Sequence, residues 1–73
     1  MPSKYPVCKP SEVIKALEKR GFKYVSQKGS HLKYSNGENV VIIPDHYEIA
    51  KGTLKSILEQ ADMPLDDFLD LIK

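Results

Sequence analysis

The dipeptide Asn36-Gly37 constrains this chain more than any other feature of its sequence. Asn and Gly both tolerate the left-handed backbone that tight hairpin turns demand, so the pair between two extended runs marks a hairpin. The flanking runs qualify. In Ser30–Tyr34 the alternation puts Leu32 and Tyr34 on one face and His31 and Lys33 on the other. Val40–Ile43 is wholly apolar, which predicts a strand that is central or covered on both faces, and Pro44 ends it by removing a backbone donor. Upstream, Phe22 to Gln27 is aromatic and β-branched enough for a further strand, with Gly29 in the tight link to the next.

Helical patterns flank this meander. Pro2, Pro6 and Pro10 mark an irregular lead-in, and Pro10-Ser11 reads as a helix start with Ser11 as cap and Glu12 in the first turn. Val13, Ile14 and Leu17 share a face, and Gly21 stops the helix just after Arg20. Beyond an irregular stretch from Asp45 to Ala50, Leu54, Ile57, Leu58 and Ala61 recur at helical spacing, with Thr53 or a neighbour as cap. Met63-Pro64 interrupts that helix. A short last one follows, with Asp66 and Asp67 in its first turn and Leu65, Phe68, Leu69 and Ile72 on its apolar side. The expected fold class is α+β: a three-stranded antiparallel sheet covered on one face by helices. Because Leu32 and Tyr34 read as core-facing, His31 and Lys33 are expected on the open face.

With 73 residues the chain has room for one domain, spanning 1–73, and a core marginal enough to gain from partner or ligand binding. No apolar run is long enough for a membrane span. Lys4 is followed by Tyr5-Pro6-Val7-Cys8-Lys9 rather than an apolar segment, so no signal peptide is expected and the cytoplasm is the default location. The lone Cys8 excludes an internal disulfide framework and a cysteine-based metal cluster. The net charge of +1 conceals a split. Residues 1–39 hold eight Lys or Arg against three Glu, a balance of +5, whereas residues 40–73 hold three Lys against seven Asp or Glu, a balance of −4. A basic front half suits a polyanion, and an acidic tail argues against wrapping nucleic acid with the entire surface.

Three ordered blocks resemble one family: Gln27-Lys28-Gly29-Ser30-His31, then Ile43-Pro44-Asp45-His46, then Lys51-Gly52-Thr53-Leu54-Lys55-Ser56-Ile57-Leu58. They look like the HicA-type toxins, the messenger-RNA interferases of a bacterial and archaeal toxin–antitoxin system. The tail from Gln60 to Leu69 and the Gly21-Phe22 pair fit as well, so the resemblance runs from about residue 11 to 72. It implies a fold similar to the double-stranded-RNA-binding domain, in the order α-β-β-β-α. It also implies a metal-free, cofactor-free endoribonuclease that blocks translation and is neutralised by a HicB-type antitoxin over its active site. The family's catalytic histidine follows Gly-Ser and maps onto His31. Lys28 stands where many relatives carry Arg, keeping the charge but not the bidentate fork. Pro64 replaces a small hydroxyl residue at the start of the last helix.

Metal-free RNA cleavage needs deprotonation of the 2′-OH, in-line attack on phosphorus and protonation of the departing 5′-oxygen. Histidine suits either proton transfer because an imidazole ordinarily titrates at about 6.5. Lys28 and Lys33 are candidates to neutralise phosphoryl oxygens, Gly29 and Ser30 to offer backbone N–H groups, and Lys51 to meet phosphate near a helix start. His46 is either a second proton-transfer group or an organiser of the turn after the third strand. Two histidines without matching carboxylate spacing make no metal site. Tyr24 and Tyr34 either stack on bases or pack in the core. The residues by themselves leave two other readings open: a non-catalytic double-stranded-RNA-binding module and a protein-binding regulatory domain.

Overall fold

The computed structural model describes residues 5–72, so Pro2, Lys4 and the outermost ends of the 1–73 domain lie outside the described residues. The chain runs α1 (Pro10–Lys19), β1 (Lys23–Lys28), β2 (His31–Ser35), β3 (Val40–Pro44), α2 (Lys51–Gln60) and α3 (Leu65–Leu71). The strands form one antiparallel sheet in the order β1-β2-β3. At the Asn36-Gly37 hairpin the Asn36 side-chain oxygen accepts from the Glu38 and Asn39 N–H groups, at 2.9 and 2.7 Å. A local side-chain bond of this kind mimics a backbone turn and holds the loop between β2 and β3.

One expectation fails at β3. A simple meander leaves its last strand at the edge, so β2 is central and β3 is not. Only one of its faces is covered: Val41 and Ile43 are fully buried, while Val40 and Ile42 are 47% and 38% exposed. An apolar edge strand is a template for unwanted pairing. Here the Gln60 Oε1 of α2 accepts the outward Ile42 N–H at 3.0 Å, and Pro44 has no N–H to offer.

One capping assignment also changes, and the other falls to a neighbour of Thr53. Lys9, not Ser11, is the N-cap of α1, with Pro10 in the first turn. The Glu12 carboxylate at N3 accepts the N-cap Lys9 N–H at 2.8 Å, the reaching-back half of a capping box. For α2 the N-cap is Ala50, so Thr53 lies inside the first turn and caps nothing.

The C-termini of α1 and α2 are the same device. Phe22 N–H bonds the Leu17 carbonyl at 3.0 Å and Gly21 N–H that of Glu18 at 3.1 Å. Met63 N–H bonds Leu58 at 2.9 Å and Asp62 N–H bonds Glu59 at 3.2 Å. Both are Schellman closures, which need a left-handed residue at the pivot. Gly21 supplies it at φ +86, whereas Asp62 is forced to φ 55. Replacing Asp62 with Gly is therefore expected to raise stability by about 0.5–1 kcal/mol, and Gly21→Ala to lower it by about 1 kcal/mol. Urea unfolding checks both.

The core lies between the sheet's inner face and the helices. It joins Val13, Ala16 and Leu17 of α1, Tyr34, Val41 and Ile43 of the sheet, Leu54, Ile57 and Leu58 of α2, and Phe68 of α3. Each large buried side chain contributes about 1.5–3 kcal/mol by leaving water. On the outside, α3 is tied to α1 by Lys19 Nζ donating to the Leu71 carbonyl at 2.8 Å and by a half-exposed Arg20–Asp67 pair at 3.1 Å. The exposed pair adds under about 1 kcal/mol.

Cys8 is buried where the lead-in bridges Ile49 across the Asp45–Ala50 connection. Burial, aided by the Glu12 charge, pushes its thiol up from 9.0 to about 11. The folded state therefore holds this proton over a range in which the unfolded chain releases it. Stability is expected to fall as pH rises from about 9 to about 11, a slope that Cys8→Ala reduces in pH-dependent unfolding. In neutral buffer the thiol should react slowly with thiol reagents.

Candidate functional site

The open sheet face gathers its polar side chains through an irregularity in β1. Tyr24 pairs with Tyr34, yet Ser26 pairs with Lys33, so two steps along β1 match one along β2 and Val25 is the extra residue. Without this bulge Ser26 and Lys28 would continue on the face of Tyr24, towards the helices. The bulge reverses the parity, so that Ser26 and Lys28 share the open face with His31 and Lys33.

Lys28 is then directly across from His31, and Lys33 follows two residues along β2. Ser26, Lys28, His31, Lys33 and Ile42 line a groove of about 520 Å³ on this face. All five are exposed. Neither lysine pairs with a carboxylate among the described residues, so both charges are uncommitted. The His31 ring has no hydrogen-bond partner among the described residues, which leaves both its nitrogens available.

His31 also borders a second groove of about 380 Å³, between the β3 edge and α2. Its walls are Ile42 and Pro44 on one side and Gly52, Thr53, Ser56, Ile57 and Gln60 on the other. The spacing of residues 52, 56 and 60 along α2 explains this polar wall, since i and i+4 share a helix face. Periodicity singled out only the apolar stripe of α2 and missed the polar one opposite the β3 edge.

The remaining candidates divide. Gly29 and Ser30 form the two-residue loop between β1 and β2, next to His31, with Gly29 at φ +60. Glycine at positive φ in the first loop position is what a tight type II′ hairpin requires, and Gln27 Nε2 donates to its carbonyl at 2.9 Å. Lys51 is exposed at the first position of α2, beside Gly52. His46 sits on an exposed bend after β3 and lines neither groove.

Of the two tyrosines considered for stacking, Tyr34 is buried, and burial raises its phenol pKa. Tyr24 rests its ring edge-on against Tyr34 with centroids 5.9 Å apart. The freest aromatic is Tyr47, 87% exposed in the connection before α2, and no periodic signal pointed to it. Among the described residues no three His, Cys, Asp or Glu side chains come together, and no helix is long and apolar enough to cross a membrane.

No curated protein matches the chain. A family profile described as the HicA toxin of bacterial toxin–antitoxin systems matches residues 10–63, from the start of α1 to the turn after α2. That segment contains both grooves, the β1 bulge and the Gly29-Ser30-His31 turn. On this match, covering more than half of its length, the chain belongs to the HicA toxin family.

Proposed function

We propose that the chain is an endoribonuclease toxin that cuts messenger RNA at His31 and thereby blocks translation. The observation that carries this reading is one exposed imidazole flanked by two uncommitted ammonium groups on a single open sheet face. His31 performs one of the two proton transfers of in-line cleavage. Lys28 and Lys33 lower the cost of charge building on the phosphoryl oxygens. The backbone N–H groups of Gly29 and Ser30 and the Lys51 ammonium hold neighbouring phosphates. A HicB-type antitoxin silences the enzyme by laying acidic or hydrogen-bonding groups over the same basic face.

Purified protein is expected to cut single-stranded messenger RNA in the presence of EDTA and to leave a 2′,3′-cyclic phosphate or its hydrolysis product. Salt-sensitive duplex binding with no cleavage would instead identify a non-catalytic double-stranded-RNA-binding module. His46 is the candidate for the other proton transfer. A loss in His46→Ala as large as that in His31→Ala would identify an acid–base pair, whereas retained cleavage would assign His46 to the turn after β3. Lys28→Ala and Lys33→Ala should each weaken RNA binding across all sequences and each reduce the salt slope of log affinity by about 0.7–1. Titrations at several salt concentrations measure this.

A further inference from the structure

The groove between β3 and α2 has a chemistry different from that of the basic face it adjoins. His31 and Pro44, cross-strand partners in β2 and β3, both line it. Beyond them its walls carry no charge. Ile42 and Pro44 give an apolar side, while Thr53, Ser56 and Gln60 give a row of polar groups. The Thr53 and Ser56 hydroxyls have no hydrogen-bond partner among the described residues. Gln60 differs, because its Oε1 is engaged by the Ile42 N–H at 3.0 Å. That bond takes one lone pair of Oε1 and orients the amide, so Gln60 keeps two Nε2 N–H donors and one oxygen lone pair to offer.

We propose that this groove is a base-reading subsite for one unpaired nucleotide next to the cut, with Gln60 as its specificity-determining residue. The inference rests on the ribonuclease reading above and adds what that reading leaves open, the sequence preference. Phosphates stay on the lysine-bearing face, and one base turns over the β3 edge beside His31. It lies against Pro44 and Ile42 and meets the donors and hydroxyls of α2. A base held in a stacked duplex cannot reach such a slot, so the site selects single strands. The base atom that faces Nε2 must be an acceptor, a carbonyl oxygen or an unprotonated ring nitrogen. The hydroxyls of Ser56 and Thr53 can donate or accept and do not impose that restriction.

The test uses Gln60→Glu, which retains an oxygen for the Ile42 N–H and replaces the donors with an acceptor, together with Ser56→Ala. Cleavage sites on a transcript pool are mapped for the full-length wild type and both variants. In parallel, His31→Ala protein, with and without Gln60→Glu, is titrated with short non-cleavable single-stranded oligonucleotides that differ at one base. The expected result is a base preference at one fixed position flanking the cut, lost or changed in Gln60→Glu, with about ten-fold lower kcat/KM at the preferred site. The oligonucleotide carrying the preferred base should lose its binding advantage to the same degree. Unchanged base frequencies at every flanking position in Gln60→Glu would overturn the subsite and leave the ribonuclease reading standing. Base-selective binding that Gln60→Glu abolishes, without any cleavage by the wild type, would keep the subsite and overturn the ribonuclease reading. Neither cleavage nor base-selective binding would overturn both.

Discussion

His31→Ala is expected to lower the rate of RNA cleavage by about 10²–10⁴-fold, the usual contribution of a positioned general acid or base. The fold should tolerate the change, because the side chain is exposed and makes no hydrogen bond within the described residues. RNA affinity should stay close to that of the wild type, since the proposed phosphate contacts of Lys28 and Lys33 are untouched. A time course of cleavage, a circular dichroism spectrum and a binding titration on the same preparation separate these outcomes. Cleavage persisting in folded, contamination-free His31→Ala protein would remove His31 from the mechanism. A parallel loss of binding would make it a contact for RNA rather than a proton carrier.

Phe68→Ala is expected to destabilise the protein by about 3–5 kcal/mol, the cost of emptying a large site in a core that collapses only partly. For a domain of this size that is a large share of a total of about 5–10 kcal/mol. Phe68 is the one fully buried residue of α3, and it belongs to the same core as α1 and α2. It nevertheless lies beyond residues 10–63, the segment that the family profile matches. Removing everything after Met63 should therefore be as damaging as Phe68→Ala, because it uncovers the apolar surfaces that Phe68 seals. Phe68→Leu should cost much less. Urea midpoints for the three variants decide the matter, and a truncated chain as stable as wild type would show α3 to be an appendage.

Most of the fold was legible because its elements announce themselves locally. Turn chemistry at Asn36-Gly37 and Gly29, the stop at Gly21, and the alternation through Leu32 and Tyr34 are all properties of a few neighbouring residues. The alternation also put His31 and Lys33 on the open face, where they are found. The failures share a cause. Whether Val40–Ile43 lies at the centre or at the edge depends on strand order, and an apolar run carries no record of its neighbours. The first N-cap was assigned to the Ser11 hydroxyl and the second to Thr53 or a neighbour, whereas the caps are Lys9 and Ala50. The convergence of Lys28 with His31 depends on Val25 being left out of the pairing, and nothing in Tyr24-Val25-Ser26 marks an irregularity. The polar wall of α2 became visible only once β3 was known to lie opposite it.

That extra residue sets a rule for how such a chain can evolve. If Val25 were deleted, the ladder would run without interruption from Tyr24–Tyr34 to Ser26–Lys33, and Lys28 would stay across from His31. A one-residue deletion at Val25 should thus be tolerated, whereas a one-residue insertion between Tyr24 and Ser26 would need a wider bulge to keep the same pairing. Among natural relatives, a one-residue gap at this position would then mark a strand that brings its cationic residue to the same histidine as a regular ladder.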